Sequence, residues 1–268
     1  MLTRFVVFAG VVTLALTSCN GGSKKHDLGA EGDLSAQVDM SLHTETGTIG
    51  DQTGPSDGGD APPLSGAQVC IAQHSEIPCA KTDDSGNYTI AVPPQPTTGE
   101  LDFAVVVTAA GHLGETNLLR WSSPLEYWTT VESLWSDAFA APWAASAGFT
   151  YPANGTAFIE GAVYGATPLA SPDRAGATVT LTPASGKVVY YDANGIPDPA
   201  LTATSNGGAF AFGNVTPGTY TFTVTNGTKT CTDPATDGNN SWPSTTPNSL
   251  SLYVAGNTIV QRQSITCQ

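Results

Sequence analysis

The chain writes the same punctuation twice. Gly66-Ala67-x-Val69 is answered by Gly176-Ala177-x-Val179, and Thr82-Asp83-x-x-Gly86-x-Tyr88 by Thr204-Ser205-x-x-Gly208-x-Phe210. In both copies Gly supplies the turn, and Asp, Ser and Asn supply local backbone hydrogen bonds. Alternating apolar stretches flank the turns. Val69 and Ile71 fall on one face of Ala67–Ala72, Tyr88–Val92 stops at Pro93-Pro94, and Leu101–Thr108 is a third, more buried run. The second copy opens with Ala157–Gly165 and continues through Gly176–Leu181, Lys187–Tyr191 and Ala209–Phe212. Thr219–Thr225 then alternates strictly, with Tyr220 and Phe222 on one face, and Ser249–Cys267 has room for one or two closing strands. Period-2 patterning between Gly and Pro breaks predicts half-buried strands.

Composition agrees. With 29 Gly, 19 Pro and only 12% charged residues, the 40% of hydrophobic residues must form cores under a surface of Thr, Ser, Asn and Gly,. The second copy also carries Pro217-Gly218-Thr219-Tyr220-x-x-x-Val224. Together these motifs resemble the carboxypeptidase regulatory-like domain, also called the transthyretin-like or peptidase-associated β-sandwich. The first copy departs from that pattern, because Pro94–Leu101 contains no Pro-Gly-x-Tyr. The resemblance implies a Greek-key sandwich of about seven strands per module. It implies little about activity.

The N-terminus reads as an export signal. One positive charge at Arg4 precedes the apolar run Phe5–Leu16, which is too short to span a bilayer, and Leu16-Thr17-Ser18-Cys19 closes it with small residues and a cysteine,. This ending resembles the lipobox of bacterial lipoproteins. The resemblance implies that Cys19 becomes the lipid-modified first residue, bearing acyl chains such as palmitate. Asn20 after the cysteine favours the outer membrane over the inner in lipoprotein-sorting terms. From Asn20 to about Asp60 the chain is rich in Gly, Asp, Ser and Thr, and Gly47–Asp60 shows no apolar period. It is expected to be a disordered tether, with a reach on the order of 35 Å.

Between the copies, Val131, Leu134, Trp135, Ala138 and Phe139 have helical spacing, Thr129 and Glu132 have capping-box spacing, and Pro142 should close the run,. The helix is expected to dock between the sandwiches. The expected architecture is all-β: two Greek-key β-sandwich modules joined by a short helix, behind a disordered N-terminal tether. Its divisions are a lipoprotein signal peptide over 1–18, an acidic tether over 19–60, a first sandwich over 61–127, a connecting helix over 128–150 and a second sandwich over 151–268.

With Cys19 lipidated, Cys70, Cys79, Cys231 and Cys267 remain, an even number that suggests two disulfides in an exported chain,. Of the three pairings, Cys70–Cys79 with Cys231–Cys267 keeps each bridge inside one module. A zinc site is disfavoured because CxxC spacing is missing and no His lies near Cys231 or Cys267. The net charge of -14 excludes nucleic acid and makes a headgroup-binding basic patch untenable, so membrane lipid is met through acylated Cys19 alone,.

Catalytic patterns are sparse. His112-Leu113-Gly114-Glu115 resembles part of a metallocarboxypeptidase zinc site, but no His follows it to complete the ligands,. Phosphate loops and dinucleotide fingerprints are absent,. Asp192, Asn194 and Asp198 place oxygens as calcium ligands would, without the terminal bidentate acid of an EF-hand; an Asx-turn explains the same residues,. Trp121, Tyr127 and Trp128 are candidates for an exposed aromatic contact with a protein or glycan, whereas the apolar stripe assigns Trp135 to a core,. No cofactor and no catalytic residue are assigned. The expected protein is a non-enzymatic, lipid-anchored component of the bacterial envelope whose sandwiches bind or scaffold. The rival readings are a glycan-acting enzyme or accessory carbohydrate-binding subunit, and a calcium-stiffened structural spacer.

Overall fold

The computed structural model describes residues 43–54, 61–93, 100–122, 126–127, 133–165, 174–232, 244–246 and 248–268. The first half contains β1 (His43–Thr48), β2 (Gly50–Gln52), β3 (Gln68–Ile71), β4 (Ala80–Lys81), β5 (Asn87–Val92), β6 (Glu100–Thr108), β7 (His112–Ser122), β8 (Glu126–Tyr127) and β9 (Ser133–Ser136). One helix, α1 (Asp137–Ser146), follows. The second half contains β10 (Ala157–Gly165), β11 (Thr178–Thr182), β12 (Lys187–Tyr191), β13 (Pro197–Asp198), β14 (Ala209–Val215), β15 (Gly218–Thr225), β16 (Cys231–Thr232), β17 (Ser244–Thr246), β18 (Ser249–Val254) and β19 (Thr258–Cys267).

Alternation becomes burial. In β5, Tyr88, Ile90 and Val92 are buried while Asn87 and Thr89 are exposed, and β15 buries Tyr220, Phe222 and Val224 in the same rhythm. The second sandwich faces Ile159, Val163, Phe210 and Phe212 against Val179, Phe222, Val224 and Leu252. Phe210 and Phe222 stack with centroids 5.5 Å apart. The first sandwich is smaller and mostly aliphatic, closing Ile49, Ile90, Val92 and Leu134 onto Val69, Ile71, Val105 and Val107.

The halves correspond rung by rung. Gly47 faces Tyr88 across β1–β5, and Gly161 faces Phe210 across β10–β14. Two residues on, Ile49 N–H donates to the Gly86 carbonyl and Val163 N–H to the Gly208 carbonyl, both at 2.9 Å. Gly86 and Gly208 share a φ of +75°, and a Cβ on either would run into the carbonyl oxygen of Ile49 or Val163. This is why the repeated motif carries Gly there. Val69 faces Val107 as Val179 faces Val224. An opening strand of each module also runs parallel to the last, β2 beside β9 and β10 beside β19.

Three expectations are corrected. The tether reading fails for His43–Gln52, which forms β1 and β2 and places Ile49, 1% exposed, in the first core. These residues contribute mainly backbone to the ladder, so their polar side chains conceal the strand. The first sandwich therefore starts before residue 61. It also ends later than 127, because β9, assigned to the connecting helix, is its closing strand. Leu134 and Trp135 are consecutive buried residues of a strand that pairs with β2 and β7 and is covered on both faces, Leu134 packing in the first core and Trp135 in the cluster beside α1. Such strands lack alternation, so their apolar residues mimic helical spacing. The helix begins at Asp137, and Pro142, expected to end it, lies inside it. Val131, Thr129 and Glu132 fall outside the described residues.

Candidate functional site

The chemistry-bearing residues gather at three places: the motif turns, the seam between the sandwiches, and the β7–β8 hairpin. At the turns, one threonine does the same job twice. Thr82 Oγ1 accepts Ala67 N–H (2.9 Å) and donates to the Leu64 carbonyl (2.6 Å). Thr204 Oγ1 accepts Ala177 N–H (2.9 Å) and donates to the Arg174 carbonyl (2.6 Å). Both threonines are buried. Each clasps the incoming segment to the turn, and a buried N–H that lost this acceptor would be orphaned. The motif predicted the turn. It did not predict the clasp, although Thr in both copies was the available signal.

Asp83 and Asp192 each form an Asx-turn. Asp83 Oδ1 accepts the N–H groups of Ser85 and Asn87, both at 2.9 Å, and Asp192 Oδ1 accepts those of Asn194 (2.8 Å) and Ile196 (2.9 Å). The Asn87 N–H holds the Asp83 carboxyl below the usual carboxylate range, and the Ile196 N–H does the same for Asp192. Asn194 Nδ2 donates to the other Asp192 oxygen at 3.3 Å, and Asp198 Oδ1 accepts Ala200 N–H at 2.9 Å. Asp192 and Asp198 thus spend oxygens on local donors, and Asn194 takes part as a donor to Asp192. Among the described residues, no group of three or more His, Cys, Asp or Glu side chains is placed to hold a metal.

His112 and Glu115 do not converge. Both lie on β7 three residues apart, an odd spacing that sends strand side chains to opposite faces. His112 Nε2 meets Asp51 Oδ1 of β2 at 3.1 Å, while Glu115 Oε2 accepts from Gln261 Nε2 of β19 at 3.0 Å. Glu115 belongs to the seam. There β19 runs parallel to β7, with Thr258 opposite Gly114 and Ile259 opposite Glu115. The result is one ladder in the order β13-β12-β14-β10-β19-β7-β6-β3-β4. Beneath it, Thr116 and Thr258, both fully buried, share a hydrogen bond of 2.7 Å. Gly114 N–H donates to the Asn257 carbonyl at 3.1 Å, and a Cβ on Gly114 would stand 2.8 Å from the Val107 carbonyl oxygen. No spacing in the sequence announces this seam, because its partners are brought together only by the fold.

Over the seam α1 buries Ala140 and Ala144 in a cluster drawn from both halves, including Leu113, Trp135, Phe158, Val189 and Ile259. Trp135 makes edge-to-face contacts with Phe139 (5.0 Å) and Trp143 (5.2 Å) and is buried, as expected. Tyr151 donates to Asp137; burial, reinforced by that carboxylate, pushes its hydroxyl well above the ordinary tyrosine range. Trp121 and Tyr127 occupy neighbouring rungs of the β7–β8 hairpin, opposite Glu126 and Arg120 respectively. Trp128 and Cys19 lie outside the described residues. Both disulfides form as paired from the sequence, Cys70–Cys79 and Cys231–Cys267.

No family model and no curated protein matches the chain. Among solved structures it is similar to GBS52, the minor pilin of the Gram-positive pathogen Streptococcus agalactiae, at 10% identity. That match covers 84% of this chain and 96% of the other, with a TM-score of 0.25. It is also similar to the shaft pilin spaA of Lactobacillus rhamnosus GG, at 13% identity over 85% of this chain and 98% of that one, with a TM-score of 0.23. A third similar structure is the Bacillus anthracis TIE protein, at 11% identity and a TM-score of 0.24; 84% of this chain spans 34% of that one.

Proposed function

We propose that this chain is a non-enzymatic, lipid-anchored envelope protein whose two sandwiches act as one stiff scaffolding or binding body. The observation that carries this reading is the seam. A backbone ladder, a buried hydroxyl pair and a shared apolar cluster join the modules, where a binding pair meant to move independently would have a polar linker,. Two disulfides fit a chain that works in an oxidising compartment,. Cys19 supplies the anchor, and the ligand is a protein or a glycan met at the surface.

Spin labels on Ser85→Cys and Thr180→Cys, one per sandwich, test the stiff body. A single narrow distance distribution is expected, and a broad one refutes it. Cys19→Ser should move the protein from the membrane to the soluble fraction; persistent membrane association removes the anchor. A glycan and peptide array with the soluble chain separates binding from pure scaffolding, with Trp121→Ala as the control for the aromatic contact. Turnover of any glycan would establish the rival enzyme reading. The Asx-turn geometry at Asp192 favours a melting temperature indifferent to EDTA; a drop would support the calcium-stiffened spacer.

A further inference from the structure

The correspondence between the modules breaks at one edge. In the second module β14 is paired on both sides, with β10 and with β12, where Val189 faces Ala211 and Lys187 faces Gly213. In the first module the corresponding β5 pairs with β1, and among the described residues no strand lies on its other edge. Chain length is the cause. Residues 182–201 leave room for the β12–β13 hairpin, whereas the equivalent connection is only residues 72–79 and is drawn in by the Cys70–Cys79 bridge, with Cα atoms 4.4 Å apart.

The ladder fixes which groups face the open edge. Gly86 bonds to Ile49, so Tyr88, Ile90 and Val92, at successive two-residue steps, direct their N–H and C=O groups toward β1,. Asn87, Thr89 and Ala91 direct theirs away. Those of Asn87 are taken, its N–H by Asp83 Oδ1 (2.9 Å) and its carbonyl by Asp83 N–H (2.8 Å). Thr89 and Ala91 then occupy the positions at which Ala211 and Gly213 meet β12. An open edge beside a core is where an extended segment adds.

The sequence before β1 contains such a segment. Leu34, Ala36, Val38, Met40 and Leu42 alternate with Ser35, Gln37, Asp39 and Ser41, the pattern of a strand with one apolar face. Its phase is opposite to that of β1 and the residue after it, where Glu45, Gly47 and Ile49 are the less exposed set and Thr44, Thr46 and Thr48 are exposed. A straight continuation of β1 would turn five apolar side chains to solvent. Folding back onto its own β5 would require the chain to jump that strand directly before His43, a connection that folds avoid.

We infer that residues 34–42 of one copy add as a strand to the β5 edge of a second copy, filling the place β12 holds in the second module. Its apolar face extends the layer of Tyr88, Ile90 and Val92. Association needs no lipid anchor, although copies held on one surface would meet at raised effective concentration.

Light scattering of the chain carrying Cys19→Ser reads association as mass against concentration. A dimer or larger species is expected. Val38→Asp with Met40→Asp should return it to the monomer with an unchanged melting temperature. Thr89→Pro should do the same by deleting an edge N–H while sparing the β1–β5 rungs. Mixing these two variants should restore association, one supplying the segment and the other the edge. A monomer at every concentration, whether the segment binds its own chain or the edge takes a foreign peptide, overturns the inference. So does association that survives the Val38→Asp, Met40→Asp change.

Discussion

The first sandwich closes its second connection with a disulfide; the second closes it with a hairpin. Both use the same threonine clasp, a side-chain-capped turn just after it, through Asp83 in one and Ser205 in the other, and the same parallel pairing of an opening strand with the last. What differs is the filling. Phe210, Phe212 and Phe222 pack in mutual contact in the second core, whereas the first is built largely from Ile and Val. The shared features are those on which the backbone geometry depends. The differing ones show how much side-chain volume and connection length can vary once that geometry is kept.

Paired substitutions measure how far the likeness extends. Phe222 and Val105 hold corresponding rungs, opposite Leu181 and Ile71. Phe222→Ala should cost about 3–5 kcal/mol and Val105→Ala on the order of 2 kcal/mol by denaturant unfolding. Equal losses would mean the cores are not filled as differently as they look. Replacing both cysteines of a bridge by Ser comes next. Chain-entropy scaling gives about 4 kcal/mol for Cys231–Cys267, with a sequence separation of 36, and about 2.5 kcal/mol for Cys70–Cys79, with 9,. A larger loss at the short bridge would show that it holds the first sandwich together locally.

Thr82→Val and Thr204→Val should each cost about 1–3 kcal/mol, because each orphans a buried N–H and a carbonyl contact,. Closely matched losses would confirm that the clasp is one device used twice; a silent Thr82→Val would break the equivalence. The smallest effect is at acid pH. Asp83 and Asp192 have folded-state pKa values below their unfolded ones, so the stabilisation they give is present above the unfolded value. It is lost as pH falls through the folded value,. Asp83→Asn and Asp192→Asn should therefore flatten the acid limb of the melting curve slightly and alike, and a steeper limb in either variant would contradict the assigned bonds.

Most of the repeated strands were legible because their apolar residues alternate: β3, β5, β11 and β15 bury every second side chain. The strands that escaped were those for which alternation is not the requirement. β1 contributes hydrogen bonds and almost no apolar surface, and β9 is covered on both faces. The turns were legible because Gly and Asp have local work. The seam was not, since Thr116 and Thr258 lie 142 residues apart and nothing about either residue alone foretells its partner.

Local chemistry written along the chain determined the strands with one buried face, the paired turns, the all-β class and the two cysteine pairs. Each follows from interactions over a few residues, or from the need to keep a bridge inside a module. The tertiary structure alone decided where the first sandwich begins and ends, that Pro142 sits within a helix, and that the two modules share one ladder through β19 and β7. Those outcomes depend on which distant backbone edges remain free to pair, and a free edge has no signature in the order of side chains.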